Sequence, residues 1–424
     1  MEQNDQQAQK QPLSRSERVW VLYDVGNSAF TLLISTILPI YFNGLAGAAG
    51  LTSAQYLAFW GYAASFVTVV VALLGPTLGA VADLPGMKKR LFILCVAVGI
   101  AGCSLMGLVQ SWMWFLDFFI LAKIGYSASL VFYDSMLTDI TTPARMDKVS
   151  SVGYALGYGG SCIPFILSLG IVLGYEALGL TLNTAMLLAF LLNAVWWLCC
   201  TLPLLRRYRQ RYSVPAHGQL VHGAFQRLAE TLREIRGNKQ VLWFLIAFFL
   251  YIDGVYTIID MATAYGQALG LDSTGLLLAL LVTQIVAFPF ALLFGQLARR
   301  VESSLLVSVC ILAYVGIAAY AIFLRTQAQF WVLAVCVGMF QGGIQSLSRS
   351  YFGKIIPPER SGEYYGLLDI CGKGASFVGT FLVSLMTQLS GSTSVGVMVI
   401  APLILLGFFA FRRAVAQGRA AGQP

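Results

Sequence analysis

The sequence has little charge. Of its 424 residues, 11% are charged and 58% are hydrophobic, whereas about 25% of the residues of a soluble domain are charged. This balance excludes an ordinary soluble protein and indicates a chain that lies almost entirely in a membrane. The net charge of +8 would suggest nucleic acid in a soluble protein. Here the bias of lysine and arginine towards cytoplasmic loops explains it better, so we expect a lipid bilayer and no nucleic acid as partners.

The sequence also lacks the usual signs of an enzyme. It contains two histidines, His217 and His222, in one loop, and no HExxH, GxSxG or phosphate-binding loop motif. The eight cysteines lie in apolar runs without a CxxC pair, which is typical of small buried side chains rather than disulfides or metal ligands. We therefore expect no enzyme activity, no catalytic residues, no metal and no cofactor.

Long apolar runs are abundant. A membrane-spanning helix needs about 20 mainly apolar residues, and the runs predict an all-α polytopic membrane protein with twelve transmembrane helices. We expect two six-helix halves, 1–204 and 240–424, joined by a cytoplasmic linker, 205–239. Within this linker, Ala224 to Arg236 forms either an amphipathic helix on the membrane surface or part of a solvated loop. The predicted spans are 19–42, 56–78, 90–109, 112–138, 151–175, 182–204, 240–262, 273–297, 304–324, 329–352, 364–388 and 393–411.

The distribution of basic residues predicts the orientation. With these spans, 24 of the 27 lysines and arginines lie on the side that carries both termini. Arg325 lies on the other side, and Lys123 and Lys373 lie inside spans. Because lysine and arginine accumulate on the cytoplasmic side, we expect both termini in the cytoplasm.

The loop after the second span carries a recognisable pattern. Gly79 is followed by Asp83, then by Gly86, and then by the basic cluster Lys88, Lys89 and Arg90. An ordinary basic cytoplasmic turn would account for the charges. The pattern also resembles the signature loop of the major facilitator superfamily. That resemblance implies that Asp83 braces the loop against the eleventh helix, near its positive N-terminal end, and that this contact breaks during switching.

The two halves share a repeat. Pro143 and Arg145, with Gly157, Gly159 and Ser161 after them, recur 215 positions later as Pro358, Arg360, Gly372, Gly374 and Ser376. Gly79 and Ala82 recur as Gly295 and Ala298. A repeat of half the chain length is typical of transporters built from two parallel halves.

Charged residues inside the predicted spans are few and concentrated. A charge in hydrocarbon is costly, so such residues normally face a bundle interior or a watery cavity. In major facilitators the first, fourth, seventh and tenth helices line the central cavity. Here the interior charges are Asp24 on span 1, Asp117, Lys123 and Asp134 on span 4, Asp253 and Asp260 on span 7, Arg349 on span 10, and Asp369 and Lys373 on span 11.

Depth divides these charges into two groups. With a rise of about 1.5 Å per residue, Lys123, Lys373 and Asp253 lie near the midplane, where such transporters bind substrate. Asp24, Asp134, Arg349 and Asp369 lie nearer the cytoplasmic ends, and we expect them to form an inner gate of ion pairs. The other residues that we expect to take part in gating or coupling are Asn27, Asp83, Lys88, Lys89 and Arg90. Asp369 and Lys373 are spaced i, i+4 and could instead neutralise each other. We expect Asp117 and Asp260 to be hydrated near the outer surface.

Three further stretches narrow the family. They run from Tyr23 to Phe30 with Asn27 inside, from Ser151 to Tyr158, and from Gln341 through Asp369 to Lys373. Together they resemble the vacuole-effluxer branch of the major facilitators, which includes the autophagy-related vacuolar amino-acid effluxers and bacterial relatives. Val25 departs from the family's aromatic residue. Arg299 stands where the second signature loop would have an aspartate, which puts that loop's gating role in doubt.

The resemblance implies a monomeric secondary transporter that moves a small solute. For a zwitterion, Lys123 or Lys373 would bind a carboxylate, Asp253 an amine, and Tyr154, Tyr158, Gln341 and Gln345 would add hydrogen bonds. The same residues would suit an organic anion. Asp24, Asp253 or Asp369 could carry a coupling proton if burial favours its neutral form. The alternatives are a sensor or partner-binding protein that does not translocate, and a membrane enzyme. Short tails and loops indicate a bacterial inner membrane.

Overall fold

The computed structural model of the protein describes residues 11–215 and 230–422. Among these residues, twelve helices are long and apolar enough to cross a membrane, which confirms the predicted number. The spans, numbered in chain order, are Arg15–Ser35 continued by Ile37–Ala48, Ser53–Ala82, Met87–Met106, Trp112–Ser135, Pro143–Leu173, Leu182–Arg207, Lys239–Ala268, Ser273–Leu297, Ser303–Ile322, Gln327–Ile355, Ser361–Ser390, and Thr393–Met398 continued by Ile400–Ala420. Two short helices, Leu137–Ile140 and Pro358–Arg360, follow spans 4 and 10.

Span 5 begins earlier than the predicted span. It begins at Pro143 rather than at residue 151. Proline suits the first helical position, where its missing N–H is not needed. The first turns are polar, but Arg145 and Asp147 are buried against neighbouring helices. Hydrophobicity alone therefore underestimates this helix, because its polar part is covered by protein rather than by lipid.

Both described chain ends lie at one end of the bundle. Arg145, at the start of span 5, donates hydrogen bonds to the carbonyls of Gln11 and Pro12. Arg419, near the other terminus, forms an ion pair of 2.7 Å with Glu302 between spans 8 and 9. We call this the basic end, because most lysines and arginines lie there. The linker residues 230–237 are helical, whereas His217, His222 and residues 224–229 of the predicted surface helix lie outside the described residues.

Buried apolar residues form two clusters. One contains residues between Trp20 and Tyr208, and the other contains residues between Ile235 and Val415. This clustering supports our interpretation of two halves joined at 205–239. Large apolar side chains are exposed on the outside of the bundle, among them Leu73, Leu173, Phe323 and Phe409, as lipid contact requires.

The halves meet most closely near the basic end, where spans 2 and 11 approach backbone to backbone. A Cβ atom added to Gly79 would lie 2.2 Å from the carbonyl oxygen of Gly362, and one added to Gly366 would lie 2.7 Å from the Cα atom of Pro76. Glycine is therefore needed at these positions for steric reasons. Spans 5 and 8 also meet, where Gly295 faces Ser151.

Substituting Gly79 with alanine tests this contact. In an exposed helix, Gly→Ala stabilises by about 0.5–1 kcal/mol. At Gly79 the added methyl group clashes with span 11, so we expect a lower melting temperature in detergent. Gly61 on the same helix is the matched control, because a Cβ atom added there would meet nothing within 4 Å. Gly61→Ala should therefore be neutral or stabilising. Equal melting temperatures for the two variants would contradict the close approach.

Candidate functional site: a central cavity closed at the basic end

A cavity of about 810 Å³ lies between the two halves. Its volume is within the range of about 300–1,000 Å³ that small-molecule sites usually have. Spans 2, 4, 5, 7, 10 and 11 contribute its walls. The polar and aromatic lining residues are Ser65, Thr68, Lys123, Tyr126, Ser127, Asp134, Tyr154, Phe248, Tyr256, Asp260, Gln345, Arg349, Tyr365, Asp369, Lys373 and Thr380.

Span 4 presents one helical face to the cavity. Lys123, Tyr126, Ser127, Leu130 and Asp134 line it, and their spacing follows the 3.6-residue helical period. Lys123 and Asp134 therefore share a face, with Lys123 towards the middle of the membrane and Asp134 at the basic end. Asp117 is exposed, as predicted.

Span 7 also presents a single face, and this face distinguishes its two aspartates. Phe248, Ile252, Tyr256 and Asp260 line the cavity at four-residue intervals. Asp253 is outside this register, is fully buried, and is not among the described lining residues. The acidic residue of span 7 that lines the cavity is therefore Asp260, whereas the sequence analysis predicted Asp253. The four-residue spacing along span 7 was the signal in the sequence that could have identified it.

The cavity carries charges of both signs near its middle. Lys373 forms an ion pair with Asp369, four residues earlier on the same helix. This was the alternative to a role of Asp369 in the inner gate. Lys123, from span 4, interacts electrostatically with Asp260 from span 7 and with Lys373 from span 11. The two lysines come from different halves of the protein, so a solute between them would contact both halves.

The other residues predicted to bind substrate differ in accessibility. Tyr154 and Gln345 line the cavity. The hydroxyl of Tyr158 donates a hydrogen bond of 2.9 Å to Gln345 Oε1, so Tyr158 holds a lining residue in place. Gln341 is buried on span 10 and is not among the described lining residues. Tyr126 and Tyr256 line the cavity and were missed, because tyrosine in an apolar helix does not by itself predict a site.

Arg349 closes the floor of the cavity. Its guanidinium group pairs with Asp24 at 3.3 Å and with Asp134 at 3.0 Å. It also donates hydrogen bonds to the hydroxyl and carbonyl of Ser150 on span 5. We call Arg349, Asp24 and Asp134 the arginine lock. These contacts join span 10 of one half to spans 1, 4 and 5 of the other.

Three aromatic rings surround this guanidinium group. The rings of Trp20, Tyr133 and Tyr154 have centroids 4.7, 5.5 and 4.3 Å from its central carbon. Such cation–π contacts contribute most where water is excluded. Of the residues predicted to form the gate, Asp369 instead pairs with Lys373, and Asn27 is buried on span 1, where it accepts a hydrogen bond from Ser28.

Asp83 braces span 11 at the basic end. Its carboxylate oxygens accept hydrogen bonds from the backbone N–H groups of Gly362, at 2.8 Å, and Glu363, at 2.9 Å. These N–H groups belong to the first turn of the helix, which attracts negative charge. Burial raises the pKa of the Asp83 carboxyl to about 6, against the opposing effect of Lys88, so the group is mainly ionised at neutral pH.

The three residues of the basic cluster differ in burial. Lys88 is fully buried and donates hydrogen bonds to Asp139, at 3.2 Å, and to Ser361 at the start of span 11, at 2.9 Å. Lys89 is half-buried and Arg90 is exposed. Lys88 therefore joins the two halves, whereas Arg90 lies at the surface.

A second contact between the halves uses Asp147 on span 5. This carboxylate accepts hydrogen bonds from Ser303 and Ser350, both at 2.6 Å, and forms an ion pair with Lys354. Lys354 lies 215 positions after Asp139, the partner of Lys88, so the repeat places a cation where the first half has an anion. Arg299 stands where the second signature loop would have an aspartate. In this contact the acidic residue is instead Asp147, on the opposing span 5.

Twelve spans around a central cavity are the architecture of the major facilitator superfamily. The chain resembles solved structures of this fold, including the human organic anion transporter MFSD10, with a TM-score of 0.70 and 19% identity over 95% of this chain and 100% of that chain. It also resembles the outward conformation of the transporter FucP, with a TM-score of 0.70 and 14% identity over 94% and 97% of the two chains. The twelve spans and these likenesses show that the chain is an integral membrane protein with the fold of this superfamily.

The family model described as vacuole effluxer Atg22-like matches residues 14–423, and the chain belongs to this family. The MFS-type transporter YxiO of Bacillus subtilis is 39% identical over 93% of both chains. Autophagy-related protein 22-2 of Aspergillus clavatus is 27% identical over 61% of this chain, and the match spans 46% of that relative. The chain thus matches about half the length of this fungal relative.

Removing Arg349 tests the arginine lock. Arg349→Ala leaves the buried carboxylate of Asp24 and the partly buried carboxylate of Asp134 without their cation, and breaking a buried pair costs about 3–5 kcal/mol. We expect a large fall in melting temperature for this variant, and a smaller fall for Asp134→Asn because Asp134 is 28% exposed. Arg90→Ala, which removes an exposed charge, is the control. A melting temperature for Arg349→Ala equal to that of the control would show that the lock does not stabilise this conformation.

Proposed function

We propose that the protein moves a small charged solute across the membrane by alternating access, and that an amino acid or a related zwitterion is the preferred class. The proposal rests on the positions of Lys123 on span 4 and Asp260 on span 7, which line the same cavity from different halves of the protein. A carboxylate would bind Lys123, and an ammonium group would bind Asp260. The Lys373–Asp369 pair offers a second site of mixed charge at a similar depth.

The lysines also support a second candidate, an organic anion. Lys123 interacts electrostatically with Lys373, and two cations from different halves could bind one dianion. Tyr126, Tyr154, Tyr256 and Gln345 suit either class, since their hydroxyl and amide groups donate and accept hydrogen bonds. Asp253 and Gln341 are not part of the proposed solute site, because both are buried away from the described lining.

The arginine lock and the contacts of Asp83 and Asp147 form the gate at the basic end. We infer that this end faces the cytoplasm, given the excess of lysine and arginine there, so the structure corresponds to an outward-facing state. Inward opening would separate span 10 from spans 1 and 4, and span 11 from the loop of Asp83. We further propose that the transporter works as a monomer in a bacterial inner membrane, and that proton coupling drives transport.

Thermal stability of the purified protein identifies the solute class. A ligand that binds the folded state alone stabilises it by about 2.7 kcal/mol at 100 times its Kd. The probes are alanine, leucine, arginine, glutamate, a dipeptide, succinate, citrate and an uncharged sugar. We expect the melting temperature to rise with one amino-acid class. A rise with succinate or citrate alone would select the organic anion instead.

Variants of the cavity then test the site. Lys123→Gln and Asp260→Asn should each abolish the rise and reduce uptake into proteoliposomes at least 10-fold, because each removes one charge that the solute requires. Lys239→Gln, which removes an exposed charge at the basic end, is the matched control and should behave as wild type. Retained binding in both cavity variants would contradict the site, and binding without uptake by the wild type would favour the sensor alternative.

A further inference from the structure

Asp253 forms a second acidic site, apart from the cavity. Its side chain is fully buried between spans 7 and 11. Oδ1 accepts hydrogen bonds from the backbone N–H of Gly379, at 2.8 Å, and from the hydroxyl of Thr257, at 3.4 Å. Oδ2 is buried without a hydrogen-bond partner among the described residues. An acceptor in this position is poorly satisfied in the membrane interior.

Among the described residues, no ion pair involves this carboxylate, and its hydrogen bonds come from the Gly379 amide and the Thr257 hydroxyl. The charged groups on the neighbouring spans are already engaged, since Asp369 and Lys373 pair with each other and Arg349 belongs to the lock. Span 12 places Ile400 and Ile404 against Gly254. Other titratable residues on the spans around Asp253 include Tyr251, Tyr256, Asp260 and Tyr265 on span 7, Cys310 and Tyr314 on span 9, Glu363, Tyr364, Tyr365 and Cys371 on span 11, and Arg412 and Arg413 on span 12. A permanent negative charge here is strongly disfavoured.

A smaller cavity lies one helical turn from this site. It has a volume of about 350 Å³, and its walls include Thr257, Tyr265, Val383, Thr387 and Gln388. Thr257 and Val383 lie one helical turn beyond Asp253 and Gly379, away from the basic end. The Thr257 side chain therefore lies between the smaller cavity and the Asp253 carboxylate, and it is bonded to that carboxylate.

The chemistry of the site favours a proton over a metal ion. Hard cations such as Mg²⁺ and Ca²⁺ take about six or more oxygen ligands. Here the described hydrogen bonds of the Asp253 carboxylate come from one hydroxyl, that of Thr257, and one backbone N–H, that of Gly379. Among the described residues there is also no cluster of three or more metal-ligating side chains. A proton needs a single acceptor, which the free Oδ2 supplies.

We propose that Asp253 is a proton-binding site of the transport cycle, loaded through the smaller cavity and separate from the solute site. Oδ2 takes one proton from water to give the neutral acid, and returns it to water when the carboxylate re-forms. Gly379, which bonds to Asp253, lies on span 11, and so do Gly362 and Glu363, which bond to Asp83. A change of charge on Asp253 would therefore act on a helix that also takes part in the gate. The coupling role rests on the proposed transport function, whereas proton binding itself does not.

Infrared spectroscopy of the purified protein during pH titration tests the site. A buried protonated carboxyl group has a carbonyl stretch separate from the amide bands. We expect this band in the wild type, with an intensity that falls as the pH rises, and its loss in Asp253→Asn. Asp117→Asn, which neutralises an exposed aspartate, is the matched control and should keep the band. An unchanged band in Asp253→Asn would overturn the proposal.

A second variant covers the case in which Asp253→Asn does not fold. Thr257→Val removes the hydroxyl that donates to the carboxylate, so the band should remain but change in frequency. An unchanged frequency would overturn the assignment to Asp253. Melting temperatures in NaCl and KCl should be equal, and a sodium-specific rise that Thr257→Val reduces would replace the proton by a metal ion.

The two proposals can fail separately. Loss of every solute-induced rise in melting temperature, with the Asp253 band present, would reject the solute site alone. A solute-induced rise without a titrating Asp253 band would reject the proton site alone.

Discussion

The conformation of this transporter depends on the ion pairs of the buried guanidinium group of Arg349. Arg349 forms ion pairs with Asp24 and Asp134, and its guanidinium group lies among three aromatic rings. Desolvation offsets much of the attraction in a buried ion pair, so such a pair contributes less to net stability than to the choice of one arrangement. Since its carboxylates and its arginine come from opposite halves, the lock forms where spans 1, 4 and 10 meet. It is therefore a contact that an alternating-access transporter can form and break.

The outer contacts at the basic end resemble each other without being equivalent. Asp83 accepts backbone N–H bonds from the start of span 11, whereas Asp147 accepts hydroxyl bonds and an ion pair with Lys354. The repeat relates the two regions, but the acidic residue of the first, Asp83, lies in a loop, whereas that of the second, Asp147, lies on span 5. The two sides of the basic end are therefore held by contacts of different chemistry.

The two aspartates of span 7 show how position on a helix decides chemistry. Asp260 lies on the cavity face, next to a lysine of the other half. Asp253, seven residues earlier, lies outside that register and is bonded to the backbone of span 11. An aspartate side chain thus lines the cavity in one case and forms a buried contact between helices in the other. The proposed solute site and the proposed proton site are thus separated by about two helical turns.

The sequence alone determined the membrane class, the number of spans and the family resemblance, because these follow from hydrophobicity, glycine positions and short motifs. It also predicted ion pairs among Asp24, Asp134, Arg349 and Asp369, of which the first three meet, and the family resemblance implied the contact of Asp83 with span 11. Tertiary structure decided which charges meet. Asp369 pairs with Lys373 instead of joining the lock, Asp260 faces Lys123, and Lys354 pairs with Asp147 far away in the chain. Periodicity fixes the face of one helix, but the partner of that face depends on how twelve helices pack together.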